Sequence, residues 1–90
     1  MYATLRYYTD SDLAGRLKER ADEIKSVISE IDGFRGYYLI ESDAGTVSVS
    51  LFEDEASTKR SNEAAASWLS ENMPGVSAAN LVGGEVVLNF

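Results

Sequence analysis

The stretch Phe34-Arg35-Gly36-Tyr37-Tyr38-Leu39-Ile40-Glu41-Ser42-Asp43-Ala44-Gly45-Thr46-Val47-Ser48-Val49-Ser50-Leu51-Phe52 decides the fold. Residues 34–41 are aromatic and aliphatic strand formers, and residues 46–52 alternate strictly between apolar and polar side chains. Ser42-Asp43-Ala44-Gly45 between them reads as a tight connection, so the pair predicts an antiparallel hairpin. In its second strand Val47, Val49 and Leu51 face one way and Thr46, Ser48, Ser50 and Phe52 the other, which predicts one core face and one mixed face.

Upstream of the hairpin, Leu13, Leu17, Ala21, Ile24, Ile28 and Ile31 recur at three- and four-residue steps, the stripe of one amphipathic helix. Thr9-Asp10-Ser11-Asp12 supplies acceptors and negative charge for its start, and Asp32-Gly33 a left-handed stop. Before that helix, residues 2–8 read as a first strand, with Ala3, Leu5 and Tyr7 on one side and Tyr2, Thr4, Arg6 and Tyr8 on the other. Downstream, Glu53-Asp54-Glu55 opens a second helix with Asp54 as N-cap. Its apolar positions are Ala56, Ala64, Ala65, Trp68, Leu69 and Met73, and Asn72-Met73-Pro74-Gly75 ends it. Residues 81–90, with Val86, Val87 and Leu88 after Gly83-Gly84, predict a last strand.

The order is β-α-β-β-α-β, the ferredoxin-like plan: a single α+β domain over residues 1–90, with a four-stranded antiparallel sheet and two helices on one face. The other sheet face is left uncovered. Its expected residues, Tyr2, Arg6, Tyr8, Ser48, Ser50 and Phe52, are amphipathic, and a second copy of the chain is the partner expected to cover them, giving a homodimer.

Composition removes whole classes of function. With 8 basic against 15 acidic residues the net charge is −7, which opposes binding to nucleic acid or to an anionic membrane surface. A ribonucleoprotein-type sheet with exposed aromatics is disfavoured on the same ground. The chain has no histidine and no cysteine, so disulfides, thiolate nucleophiles, imidazole bases and Cys/His zinc sites are excluded. No apolar run reaches membrane-spanning length and the first residues lack a signal-peptide pattern, so a cytoplasmic protein is expected. Asp10-Ser11-Asp12 and Glu53-Asp54-Glu55 read as helix caps rather than metal ligands, and Gly83-Gly84 lacks the lysine of a phosphate loop. Neither a metal nor a cofactor is expected.

Asp32-Gly33-Phe34-Arg35-Gly36-Tyr37-Tyr38 joining helix to strand, and Leu51-Phe52-Glu53-Asp54 leading into an Ala-rich helix with Trp68, resemble the antibiotic-biosynthesis-monooxygenase-like branch of the dimeric α/β-barrel superfamily. The resemblance spans the whole chain. It implies dimerisation through the open sheet faces and a cavity between sheet and helices for a small hydrophobic or aromatic molecule, with cofactor-independent monooxygenation as the activity to consider. Many members of the branch place a histidine two turns into the second helix, where this chain has Arg60-Ser61-Asn62. Haem-degrading relatives use a first-strand asparagine, a tryptophan and a histidine, of which only Trp68 has a counterpart here.

Tyr7, Arg35, Asn62 and Trp68 are the candidate pocket residues, supplying polar groups and an aromatic wall. The plainer readings of the residues alone are that Trp68 is a core anchor and Asn62 a solvated helical residue. A catalytic tyrosine would need its pKa lowered by Arg6 or Arg35. The alternative is a non-catalytic regulatory module of the ACT type, which shares the element order and binds amino acids between subunits.

Overall fold

A computed structural model describes residues 1–90. Strand β1 (Tyr2–Tyr8) is followed by helices α1 (Leu13–Lys18) and α2 (Ala21–Ser29), the hairpin β2 (Phe34–Ser42) and β3 (Gly45–Phe52), helix α3 (Glu55–Asn72) and strand β4 (Asn80–Glu85). The four strands form one antiparallel sheet in the order β2-β3-β1-β4, and the helices pack on one side of it. The ferredoxin-like plan therefore holds, with three helices in place of two.

The expected first helix is broken in two. Arg20 leaves helical geometry (φ −117°, ψ 32°), its amide bonds the Leu17 carbonyl at 3.0 Å in a tightened last turn, and α2 restarts from its own carbonyl. Three contacts hold the Arg20 side chain at the break: Glu23 (2.6 Å), Asn72 Oδ1 (2.7 Å) and the Trp68 ring, whose centroid lies 4.8 Å from the guanidinium carbon. Apolar spacing continues across the joint, with Leu17 and Ile28 both buried, so the stripe could not reveal it. Strand β4 stops at Glu85, earlier than expected, and Val87, Leu88 and Phe90 are exposed.

The sheet is turned the opposite way from the expectation. Thr4, Arg6 and Tyr8 of β1 and Thr46, Ser48, Ser50 and Phe52 of β3 point at the helices and are buried. Ala3, Leu5 and Tyr7, with Val47, Val49, Leu51, Tyr38 and Ile40 beside them, form the open face. Burying the polar face works because α3 meets it with hydroxyls: Ser57, Thr58 and Ser61 are all buried. Two of these side chains bond within α3, Thr58 donating to the Asp54 carbonyl (3.0 Å) and Ser61 to the Thr58 carbonyl (2.8 Å). The apolar core lies toward the other end of the interior, where Tyr8, Leu13, Leu17, Trp68, Leu69 and Met73 cluster. The interior is thus half hydrocarbon and half hydroxyl, and β1 runs through both.

Candidate functional site

At the boundary between the two halves lies Arg6, in the middle of β1 and 4% exposed. The register sets Arg6 opposite Ser48 and Thr4 opposite Ser50, so the cation enters a row of strand hydroxyls facing α3. Arg6 Nη1 donates to Ser50 Oγ (3.3 Å), and Nη2 donates to Ser61 Oγ (3.4 Å) and to Asn62 Oδ1. All three acceptors are neutral. The chain's ion pairs, Arg20–Glu23, Arg35–Glu53 and Lys59–Glu55, lie elsewhere. A buried cation held only by neutral oxygens has lost much of its hydration without a counter-charge in return.

Two tyrosines complete the polar set. Burial raises the Tyr8 pKa above its ordinary value, against the opposing pull of Arg6 and Ser48. Burial raises Tyr37 as well, reinforced by Tyr8 and opposed by Arg6 and Ser48. Burial also lowers the pKa of Arg6, but a guanidinium stays protonated at neutral pH. The outcome is one fixed cation beside two neutral phenols, both proton donors. A tyrosinate activated by Arg6 does not form here, because desolvation outweighs the cation's attraction. Thr4 Oγ1 is buried without a hydrogen-bond partner, and Ser48 Oγ, also buried, has only the two phenol hydroxyls near it and no hydrogen bond of good geometry.

Arg6, Tyr8, Tyr37, Ser48 and Trp68 share the wall of an inner cavity of about 30 Å³, closed by Leu17, Ile24 and other apolar groups. A cleft of about 420 Å³ between α3 and residues 74–78 reaches the same Arg6 and Tyr8 and is bordered by Asn62. That volume falls within the usual range for small-molecule pockets. A larger cleft of about 710 Å³ lies between α1, α2 and β2, but its charged groups, Lys18, Lys25 and Glu41, are exposed and Arg6 is not among its residues. Converging buried polar groups, not size, mark the Arg6 cavity as the candidate site.

The structure brings two of the expected residues to this region. Asn62 binds Arg6 directly, and Trp68 lines the inner cavity while also belonging to the apolar core. Tyr7 lies on the opposite face of the sheet, 38% exposed, because it is one residue out of phase with Arg6 and Tyr8. Arg35 is exposed and pairs with Glu53 at 2.7 Å; it is the extra residue of a bulge between Phe34 and Gly36. Reading the residues missed Arg6, Tyr8, Tyr37, Ser48, Ser50 and Ser61 as members of the site. One signal was available: the first two turns of α3 carry Ser57, Thr58 and Ser61, and such a helix has little to offer an apolar sheet face.

No protein-family model and no curated protein matches the chain in sequence. Among solved structures, the haem degrader MhuD from Mycobacterium tuberculosis, with two haems bound in its active site, superposes with a TM-score of 0.71 at 18% identity, over 100% of this chain and 99% of that one. MupZ from Pseudomonas fluorescens gives a TM-score of 0.73 at 12% identity over 91% of this chain and 65% of that one. A provisionally assigned monooxygenase from Shewanella loihica PV-4 gives 0.64 at 14% identity over 98% and 95% of the two chains. The chain shares its ferredoxin-like fold with these structures over nearly its whole length. At these identities the likeness carries the fold alone. Ser61 and Asn62, adjacent on α3, both bind Arg6. The residues do not fit an iron-ligated haem, since the chain has no histidine or cysteine and burial keeps Tyr8 and Tyr37 protonated.

Proposed function

We propose that two copies of this chain pack through their open sheet faces into an α/β barrel, and that each copy holds a small hydrophobic or aromatic molecule in the Arg6 cavity and the adjoining cleft. The inverted sheet carries this reading. Leu5, Tyr7, Tyr38, Ile40, Val47 and Val49 face outward with no helix over them, while Arg6 and the hydroxyls face inward. Exposing that apolar face to water is unfavourable by about 25 cal/mol for each Å² that a second copy would cover. Cofactor-independent monooxygenation is the activity we assign for testing. An apolar enclosure with fixed proton donors suits it, and the fold is shared with a provisionally assigned monooxygenase.

The chain's single tryptophan makes the test direct, because Trp68 lines the cavity. A panel of aromatic compounds is screened for a rise in melting temperature together with a change in Trp68 fluorescence, and hits are followed by oxygen uptake. Binding with oxygen uptake supports the whole reading. Binding without uptake reduces it to a binding protein, and stabilisation by amino acids instead of aromatics moves it to a regulatory module.

A further inference from the structure

Arg6 is the only charged side chain among the buried residues. The chain has 15 acidic residues, yet none stands in the wall of the inner cavity or of the cleft beside α3. An arginine kept for structure alone would be paired, because leaving a buried cation without a counter-charge is the costly case. Three of its N–H groups are taken by Ser50, Ser61 and Asn62. A guanidinium has five, so two are left for an acceptor that the protein does not supply. Ser48 Oγ, 3% exposed and in the same wall, makes no hydrogen bond of good geometry within the protein, and only the Tyr8 and Tyr37 hydroxyls come near enough to interact with it. The neutral hydroxyls of Tyr8 and Tyr37 stand beside it. Leu17, Ile24, Val27 and Ile28 make the rest of the wall apolar.

We infer that the ligand is an aromatic molecule bearing one anionic oxygen group, a carboxylate or an ionised phenol: its ring occupies the cleft of about 420 Å³, and its anionic oxygen enters the inner cavity of about 30 Å³, where Arg6 receives it with Ser48 as a second donor. This deepens the ligand-binding reading above and rests on it. A single cation flanked by neutral donors balances a monoanion. A phosphate dianion would remain half-neutralised inside a protein of net charge −7. The missing carboxylate, on this view, arrives with the ligand.

The test uses the full chain and shape-matched probes in calorimetry: 2-naphthoate, which is anionic, against 2-naphthamide, which is neutral. The acid is expected to bind at least about tenfold more tightly, the value of a charge-assisted hydrogen bond to a buried cation. For the phenol arm, 4-nitrophenol is titrated with protein near its own pKa, and growth of the nitrophenolate absorption is expected. Arg6→Met should abolish both preferences, and Ser48→Ala should weaken naphthoate several-fold while leaving naphthamide unchanged. Equal affinity for acid and amide in the unaltered protein would overturn the inference while leaving the ligand-binding reading intact. Binding of neither would overturn both. That comparison needs no variant, so the inference is decided even if Arg6→Met does not fold.

Discussion

Thr46 Oγ1 accepts a hydrogen bond from the Ala14 amide at 3.2 Å and donates one to the Asp10 carbonyl at 3.1 Å, so the first helix is capped by a strand 32 residues away. Asp12, at the N-cap position itself, makes no side-chain cap bond. Thr46 is fully buried, so losing its hydroxyl leaves the Ala14 amide unsatisfied in the interior and the Asp10 carbonyl with only the longer bond from the Leu13 amide (3.4 Å). Thr46→Val is expected to cost about 2 kcal/mol, and Asp12→Ala no more than about 0.5 kcal/mol. Urea titrations of the two variants would check the order, and equal losses would return the cap to Asp12.

Gly45 has φ +137°, and a Cβ built there would stand 2.1 Å from the Tyr8 carbonyl oxygen, a backbone atom that cannot step aside. Gly15 lies on the exposed side of α1 with open space around it. Gly45→Ala should therefore cost about 3 kcal/mol through strain and overpacking, whereas Gly15→Ala should gain about 0.5–1 kcal/mol through helix propensity. Opposite signs for the same chemical change, measured by thermal melting, are the expected result.

Val49 sits between Leu5 and Tyr38 at the centre of the outward apolar face. If two copies meet there, sedimentation at tens of micromolar gives a dimer, and Val49→Asp converts it to monomer by placing a carboxylate in the seam. Lys59→Asp, on the exposed side of α3, leaves the mass unchanged. The melting temperature of the unaltered chain should also rise with protein concentration. A monomer throughout would remove the barrel.

The Asp54 carboxylate accepts the Ser57 amide at 2.8 Å, and that bond holds its pKa below the ordinary 3.8. Because the folded value is the lower one, its contribution is present above the unfolded pKa and fades as pH falls through the folded value. Asn also caps helices, so Asp54→Asn isolates the charge. The variant should be less stable at neutral pH by a small margin that closes on acidification below about pH 4. A gap that stays constant down to pH 2 would assign the difference to shape instead.

Local pattern carried most of the fold. The hairpin is legible because residues 46–52 alternate and Gly45 marks the turn, and the start of α3 because Asp54 offers the cap it does provide. What a single sequence could not settle was which side of the alternation faces inward. A period of two is symmetric between faces, and assigning the apolar set to the core is a rule for isolated domains. It fails where Arg6 and a hydroxyl layer are interior and Leu5 and Val49 are not. The same inversion carried Tyr7 onto the candidate list and kept Tyr8 off it. The partnership of Asn62 with Arg6 spans 56 positions, which no local pattern encodes.

The inverted sheet also makes β1 a partition one residue thick. Leu5 and Tyr7 look out toward the proposed partner copy, and Thr4, Arg6 and Tyr8 look in toward the cavity. A residue-by-residue substitution scan along residues 3–8 should therefore return a phenotype that flickers with a period of two. Solution mass changes at one position, small-molecule affinity at the next, and neighbours in sequence behave as strangers in genetics.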